Sequence, residues 1–270
     1  MKKGKILYIS QEISPYLPAS TISDLGRAIP QAMHERGYEV RTFMPRYGII
    51  NERRNQLHEV IRLSGMNIVI DDTDHPLIIK VASLQPSRMQ VYFIDSEDYF
   101  HRSTKGKETE TSPEDNDERA IFFTRGVLET VKRLRWEPAI IQCSGWITSL
   151  ASSYIRRHFS DDPSYRSSKL VFALLNDRFD NTLDPRFVEK LKAEGFDDSE
   201  LAVLGSQPVG YDELMKLAIQ TADAIVQIDE SVDESLIALA KESGKPFLPF
   251  RGSDDIIEAS HEFYQSLLDD

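Results

Sequence analysis

The stretch that decides the fold is residues 5–48, KILYISQEISPYLPASTISDLGRAIPQAMHERGYEVRTFMPRYG. It opens with a short apolar run of β-forming residues, 5–10. Apolar residues then recur at helical spacing at Ile22, Leu25, Ile29, Ala32 and Met33. This pattern predicts a strand, a loop, a helix and a second strand. The free N–H groups and the dipole of the helix would then face whatever occupies the loop.

The loop of this unit has the shape of a ligand site but lacks the usual phosphate-binding residues. Thr21, with Asp24 three residues later, is typical of a capping box, and Gly37 suits the far end of the helix. Residues 16–21 (YLPAST) contain no glycine for close backbone approach and no lysine to meet an anion.

The same stretch resembles the opening of bacterial glycogen synthases and plant starch synthases. Their pattern is S-x-E-x-x-P, K-T-G-G-L, A-L-P-x-A-L, G-H-x-V and P-x-Y. The matching residues are Ser10, Glu12, Pro15, Ala28, Ile29, Pro30, Ala32, Gly37, Val40, Pro45, Arg46, Tyr47 and Gly48. In that family K-T-G-G contacts the phosphates and sugar of ADP-glucose, whereas residues 18–21 here read PAST. The resemblance therefore implies the family frame without its donor-contacting residues.

Further blocks resemble the family in the same order. Residues 115–125 (DNDERAIFFTR) are similar to D-N-x-E-R-F-x-F-F-S-R, and residues 136–148 to W-x-P followed by D-x-V-H-x-H-D-W-H-T. Only Trp146 and Thr148 remain of the histidine-rich part, where the family places a histidine beside the reacting sugar carbon. The three histidine positions hold Gln142, Ser144 and Ile147. We therefore expect no catalytic residue.

Two later blocks extend the resemblance. Residues 170–176 (LVFALLN) are similar to the strand ending in I-H-N, with Leu175 in place of the histidine and Asn176 kept. Residues 221–229 (TADAIVQID) are similar to A-D-x-V-x-T-V-S near the end of the family's first half.

The fold class implied is α/β: a single Rossmann-like domain with a mostly parallel sheet, equivalent to the N-terminal half of a two-domain GT-B glycosyltransferase. Strand-like runs at 139–143, 170–175, 224–228 and 246–250 alternate with helical segments, which also predicts a parallel sheet. Residues 57–95 predict an antiparallel β insertion, and the polar residues 101–118 predict a mobile loop. We expect residues 1–270 to form one domain and the C-terminal donor-binding domain to be absent.

Eight residues are candidates for substrate binding: Glu12, Ser20, Thr21, Asn116, Arg119, Trp146, Thr148 and Asn176. Glu12 would contact an acceptor sugar or cap a backbone turn. Ser20 and Thr21 would hold an anion or cap the helix, and Asn116 and Arg119 would tie down the helix that follows. Trp146 would stack on a sugar ring or simply pack. Asn176 ends a strand, where open α/β sheets bind ligands.

Composition limits the partners. The net charge of −12 argues against nucleic acid, because backbone recognition needs clustered Lys and Arg. The six histidines show no metal-ligand spacing, so we predict neither a metal nor a cofactor. One cysteine, Cys143, fits a reducing compartment. The apolar run after residue 5 is too short for a signal peptide, and no stretch approaches a membrane span. These features predict a cytoplasmic protein.

Three hypotheses for function remain. In the first, the domain does not transfer glucose by itself and binds α-glucan, or another protein of glycogen metabolism, through the retained cleft. In the second, it is an active glucosyltransferase half whose donor domain comes from another chain, or which uses a different sugar nucleotide. In the third, it is a scaffold or interaction protein that kept only the fold.

Overall fold

The computed structural model describes residues 4–101, 115–205 and 208–269. Its strands are β1 (Lys5–Ser10), β2 (Glu39–Pro45), β3 (His58–Glu59), β4 (Met66–Ile70), β5 (Thr73–Leu84), β6 (Met89–Asp95), β7 (Ile140–Ser144), β8 (Lys169–Leu174), β9 (Ala224–Gln227) and β10 (Phe247–Leu248). Its α-helices are α1 (Thr21–Glu35), α2 (Glu97–Phe100), α3 (Asn116–Arg133), α4 (Ala151–His158), α5 (Phe187–Ala193), α6 (Asp198–Leu201), α7 (Tyr211–Thr221), α8 (Glu234–Glu242) and α9 (Ile256–Asp269). Short 3₁₀ turns cover Trp146–Thr148 and Ala202–Leu204.

The strands form one mixed sheet in the order β10-β9-β8-β7-β1-β2-β6-β5-β3, and β4 pairs with β5. Pairing is parallel from β10 through to β6. It is antiparallel between β5 and each of β3, β4 and β6. The predicted α/β fold, with a mostly parallel sheet and an antiparallel part, is therefore confirmed.

Two predicted boundaries differ from the observed ones. Strand β6 lies inside the predicted insertion, yet it pairs in parallel with β2. The antiparallel strands therefore extend the sheet at one edge instead of interrupting it. Residues 116–118 belong to α3 and not to the predicted loop, because the helix begins at Asn116. The rest of that predicted loop, 102–114, lies outside the described residues.

The centre of the sheet is buried on both faces. In β1, Ile6, Leu7 and Ile9 expose at most 1% of their surface, which is typical of a parallel strand covered by helices on both sides. Because the neighbouring strands run in the same direction, the carboxyl ends of β1, β7, β8 and β9 lie side by side. We call this end of the sheet the carboxyl edge. Open α/β sheets bind their ligands at such an edge.

Candidate functional site

The turn that enters α1 is closed by its own side chains. The Ser20 hydroxyl accepts a hydrogen bond from the backbone N–H of Ser23 at 3.1 Å, and the Ser23 hydroxyl accepts one from the Ser20 N–H at 2.9 Å. The capping box is therefore Ser20 with Ser23, and the predicted pair of Thr21 and Asp24 was wrong. Thr21 is already the first helical residue, so its side chain cannot cap the turn.

Glu12 lies beside this capped helix end. Its Oε2 accepts a hydrogen bond from the Ser20 hydroxyl at 3.1 Å. Burial raises the pKa of the Glu12 carboxyl, and the hydrogen bond from Ser20 opposes that rise. The structure thus brings Glu12 and Ser20 together, with a carboxylate next to the helix N-terminus where a phosphate would otherwise bind.

Two glycines allow the backbone segments of this edge to approach closely. A Cβ on Gly26 in α1 would lie 2.2 Å from the backbone oxygen of Glu12. Gly145, directly after β7, has φ +98°, and a Cβ there would lie 2.5 Å from the Cβ of Gln11. Neither position admits a larger side chain without moving backbone or buried atoms.

The three residues that stand where the family motif has histidines are buried in the fold. Gln142 is 2% exposed and its side-chain oxygen accepts a hydrogen bond from the Tyr264 hydroxyl of α9. Ile147 is fully buried, and Ser144 is 7% exposed. The end of β7 therefore presents no imidazole to the edge of the sheet.

Trp146 and Thr148 form the turn after β7 and are also buried. The Trp146 ring is 2% exposed and packs edge-on against Phe179, with 5.2 Å between ring centroids. The Thr148 hydroxyl donates to the backbone oxygen of Gly145 at 2.7 Å. Both side chains thus lie beneath the surface of the edge and support it from inside.

Asp177, two residues after Leu175, is a site residue that the sequence comparison missed. Its Oδ1 accepts a hydrogen bond from the Tyr211 hydroxyl at 2.7 Å, and its Oδ2 accepts one from the Trp146 backbone N–H at 2.5 Å. Burial raises the pKa of Asp177 to about 6; both hydrogen bonds oppose that rise and the nearby charge of Glu12 adds to it. Its position just beyond the carboxyl end of a parallel strand was the available signal.

Asn176 is exposed and points towards the turn after β9. Its backbone N–H donates to Asp229 Oδ2 and its side-chain amide to the Ser231 hydroxyl, each at 3.4 Å. Asp229 and Ser231 line a cleft of about 330 Å³ that also includes Thr21 at the start of α1. The structure therefore places Asn176 against two residues that line the same cleft as Thr21.

Asn116 and Arg119 lie at the start of α3. They are 3% and 1% exposed, and Arg119 Nη1 donates to Asn116 Oδ1 at 2.9 Å. The Arg119 guanidinium lies 5.5 Å from the ring centroid of Phe100. The Tyr47 hydroxyl donates a hydrogen bond to the Gln11 backbone oxygen at 3.1 Å. Burial raises the pKa of Tyr47, the charge of Arg119 lowers it, and the charge of Glu12 raises it. Arg119 is therefore held by Asn116 and Phe100, and its charge reaches Tyr47, two residues after β2.

A second group of charges, which we call the ion cluster, consists of Lys190, Asp117, Glu118 and Asp184. Lys190 Nζ lies 2.7 Å from Asp117 Oδ2, 2.7 Å from Glu118 Oε1 and 3.2 Å from Asp184 Oδ2. Burial alone would lower the pKa of Lys190, but the hydrogen bonds to Asp117 and Glu118 outweigh it, and the pKa is raised. The ammonium is therefore held in its charged form.

Comparison with known proteins gives consistent matches. The family profile of the starch synthase catalytic domain matches residues 5–244. A glycogen synthase of Chlorobaculum parvum is 35% identical over 209 residues, covering 73% of this chain and 43% of that protein. A glycogen synthase of Chlorobium luteolum is 36% identical over 192 residues, covering 70% of this chain and 39% of that protein. This chain thus spans about two fifths of the length of these relatives.

A solved structure has the same fold. The catalytic domain of starch synthase IV from Arabidopsis thaliana, bound to ADP and acarbose, superposes with a TM-score of 0.73 at 17% identity. The match covers 92% of this chain and 51% of that one. At this identity the likeness concerns the fold.

Proposed function

Because the chain belongs to the starch synthase catalytic domain family, we propose that it binds α-glucan at the carboxyl edge of its sheet and does not by itself transfer glucose from ADP-glucose. The observation that carries the proposal is the charge of that edge. The charged residues that line the 330 Å³ cleft are Asp24, Asp229 and Glu230, and no Lys or Arg is among the described residues lining it.

An acidic edge disfavours a sugar nucleotide. Transfer from ADP-glucose needs positive groups around the pyrophosphate and a group that stabilises the charge developing on the sugar. Glu12 lies at the N-terminus of α1, and Arg178 is already paired with Asp212 at 2.6 Å and Asp233 at 3.2 Å. Bringing a pyrophosphate next to these carboxylates would cost Coulomb energy at short range.

The same groups suit a neutral polyol. Carboxylates accept hydrogen bonds from sugar hydroxyls, and the exposed side-chain amide of Asn176 can both donate and accept. Acarbose in the starch synthase IV structure is a bound sugar-like molecule in a protein of this fold. We infer that Glu12 and Asn176 supply the polar contacts, with Trp146 as their packed support.

One observation favours a second function, the transferase half. The matched part of the curated relatives is 39–43% of their length, so a full-length relative has a large further part that this comparison does not cover. In this second function that part, carried elsewhere, would supply the basic groups for the donor phosphates. Another protein of glycogen metabolism is the corresponding proposed partner.

A cytoplasmic location is part of the proposal. Cys143 is buried, and burial raises the pKa of its thiol to about 12, so the thiol remains protonated and unreactive near neutral pH. None of the helices in the described ranges is long and apolar enough to cross a membrane.

The test is calorimetric titration with a maltooligosaccharide, ADP-glucose and ADP in turn, followed by a glucose-transfer assay. We expect heat of binding from the oligosaccharide only. Asn176→Ala should weaken this binding about fivefold, as expected for one lost hydrogen bond of about 1 kcal/mol. Asn67→Ala, at an exposed position of β4 at the other end of the sheet, is the matched control and should bind normally. Glucose transfer by the chain alone would overturn the proposal.

A further inference from the structure

The carboxylate of Asp177 connects three segments of the candidate site. It lies in the segment that follows β8, accepts the Trp146 N–H from the turn after β7, and accepts the hydroxyl of Tyr211, the first residue of α7. The Tyr211 hydroxyl also approaches the Leu175 backbone oxygen at 3.3 Å, and its ring packs perpendicular to Phe179 at 5.6 Å. The Trp146 turn and α7 also touch directly, and Phe179 packs against both Trp146 and Tyr211; the Asp177 carboxylate is the group that hydrogen-bonds to both segments.

Polar or charged groups face Asp177 from the β1–α1 loop, from α7, from the turn after β7 and from its own segment. The β1–α1 loop contributes the Glu12 carboxyl, whose negative charge raises the pKa of Asp177. Helix α7 contributes the neutral Tyr211 hydroxyl, whose hydrogen bond lowers that pKa. On its own segment, the Arg178 guanidinium lies 4.9 Å from the Tyr211 ring centroid, and its ion pairs are with Asp212 and Asp233. The turn after β7 contributes the backbone N–H of Trp146.

We propose that Asp177 is a positioning residue. Its ionised carboxylate accepts hydrogen bonds from both the Trp146 turn and α7, and this link, which we call the tie, holds the cleft in the shape that binds glucan. The proposal rests on the proposed glucan-binding function. Hydrogen bonds to an ionised acceptor are about twice as strong as those to a neutral one. Protonation of Asp177 therefore loosens both contacts, and glucan affinity falls as the pH is lowered.

The tie can be followed without any glucan. The chain has two tryptophans, so a Trp136→Phe protein reports Trp146 alone by its fluorescence. Its emission should titrate with a midpoint near pH 6, where Asp177 gains its proton. Asp177→Asn in the same background should remove the titration and give one emission at all pH values, with unchanged far-ultraviolet circular dichroism.

Two further variants should move the midpoint in opposite directions. Glu12→Gln removes a negative charge that raises the pKa of Asp177, so the midpoint should fall. Tyr211→Phe removes a hydrogen bond that lowers this pKa, so the midpoint should rise. Because both readings come from folded proteins that keep Asp177, they test the tie even where Asp177→Asn folds poorly.

Glucan titrations at pH 7.5 and pH 5 complete the test. We expect binding to be about fivefold weaker at pH 5 and in Asp177→Asn at pH 7.5. A flat Trp146 emission between these pH values, or a titration that persists in Asp177→Asn, overturns the tie. Equal glucan affinity at both pH values and in the variant overturns its link to binding while the glucan function stands. If Trp146 titrates but no oligosaccharide binds at any pH, the proposed function is the one that fails.

Discussion

Asp117 and Asp177 are two carboxylates held inside the same fold, and burial raises the pKa of each, yet their partners differ in kind. Asp117 is fully buried and meets the ammonium of Lys190 at 2.7 Å, within the ion cluster. Asp177 is half-buried, and the hydrogen bonds to its two oxygens come from neutral donors, a tyrosine hydroxyl and a backbone N–H.

Under the proposed function, the difference separates a structural charge from one that shapes the binding site. In the ion cluster three carboxylates share the one ammonium of Lys190, so removing that ammonium leaves buried negative charge without compensation. At the carboxyl edge, the hydrogen bonds that the structure describes for Glu12 and Asp177 come from neutral donors, so neither carboxylate has the charge pairing of Asp117 among the described residues. Groups with such perturbed pKa values are concentrated at functional sites.

The largest effect should come from breaking the ion cluster. Lys190→Ala leaves Asp117 and Glu118 without their cation and should lower the free energy of unfolding by about 3–5 kcal/mol. Urea unfolding followed by circular dichroism measures this loss. Lys192→Ala, on the same helix, removes an exposed pair with Asp198 and should change stability by less than about 1 kcal/mol. Equal losses in both variants would show that the ion cluster contributes no more to the free energy of unfolding than an exposed ion pair.

The second effect concerns the backbone that carries Glu12. Gly26→Ala places a methyl group 2.2 Å from the Glu12 backbone oxygen, so α1 or the loop must move. We expect a loss of about 2 kcal/mol in thermal unfolding, together with weaker glucan binding. Gly4→Ala is the control, because its Cβ would meet only Ala139 at 3.8 Å. A stable Gly26→Ala protein would show that this close approach is dispensable.

A smaller effect is expected in the pH dependence of the free energy of unfolding, through Asp177. The pKa of Asp177 is raised to about 6 from 3.8, so between these values the folded state binds more protons than the unfolded state. The contribution of Asp177 to stability therefore rises as the pH falls from 7 to 4. After allowance for partial exposure, wild type should gain about 1 kcal/mol over Asp177→Asn between pH 7 and pH 5. Parallel stability curves for the two proteins would contradict this.

The smallest effect is expected at the cap of α1. Ser20→Ala removes both the N-cap and the hydrogen bond to Glu12, and should cost about 1 kcal/mol. Thr21→Ala should stay within about 0.5 kcal/mol, because Thr21 is exposed at the first helical position. Urea midpoints compare the two. If Thr21→Ala proves the more damaging, the cap is not the one the structure shows.

Several site features were accessible from sequence and others were not. The end of β8 pointed to Asn176, because ligands bind where parallel strands end. The choice of Ser20 over Thr21 as the cap was not accessible, since both residues are good caps and the pattern places a helix start only to within a residue or two. Asp177 was passed over because the motif ends one residue earlier, and only the approach of Tyr211, 34 residues later, makes its carboxylate part of the site.

By itself the sequence determined the alternation of strands and helices, the parallel sheet and the family, because these follow from local periodicity and from short ordered motifs. The tertiary structure alone decided that Trp146 and Thr148 lie beneath the edge of the sheet, that Lys190 stands among three carboxylates, and that Asp177 links β8 to the Trp146 turn and α7. The physical reason is that burial and charge pairing depend on residues far apart in the chain. No local pattern contains that information.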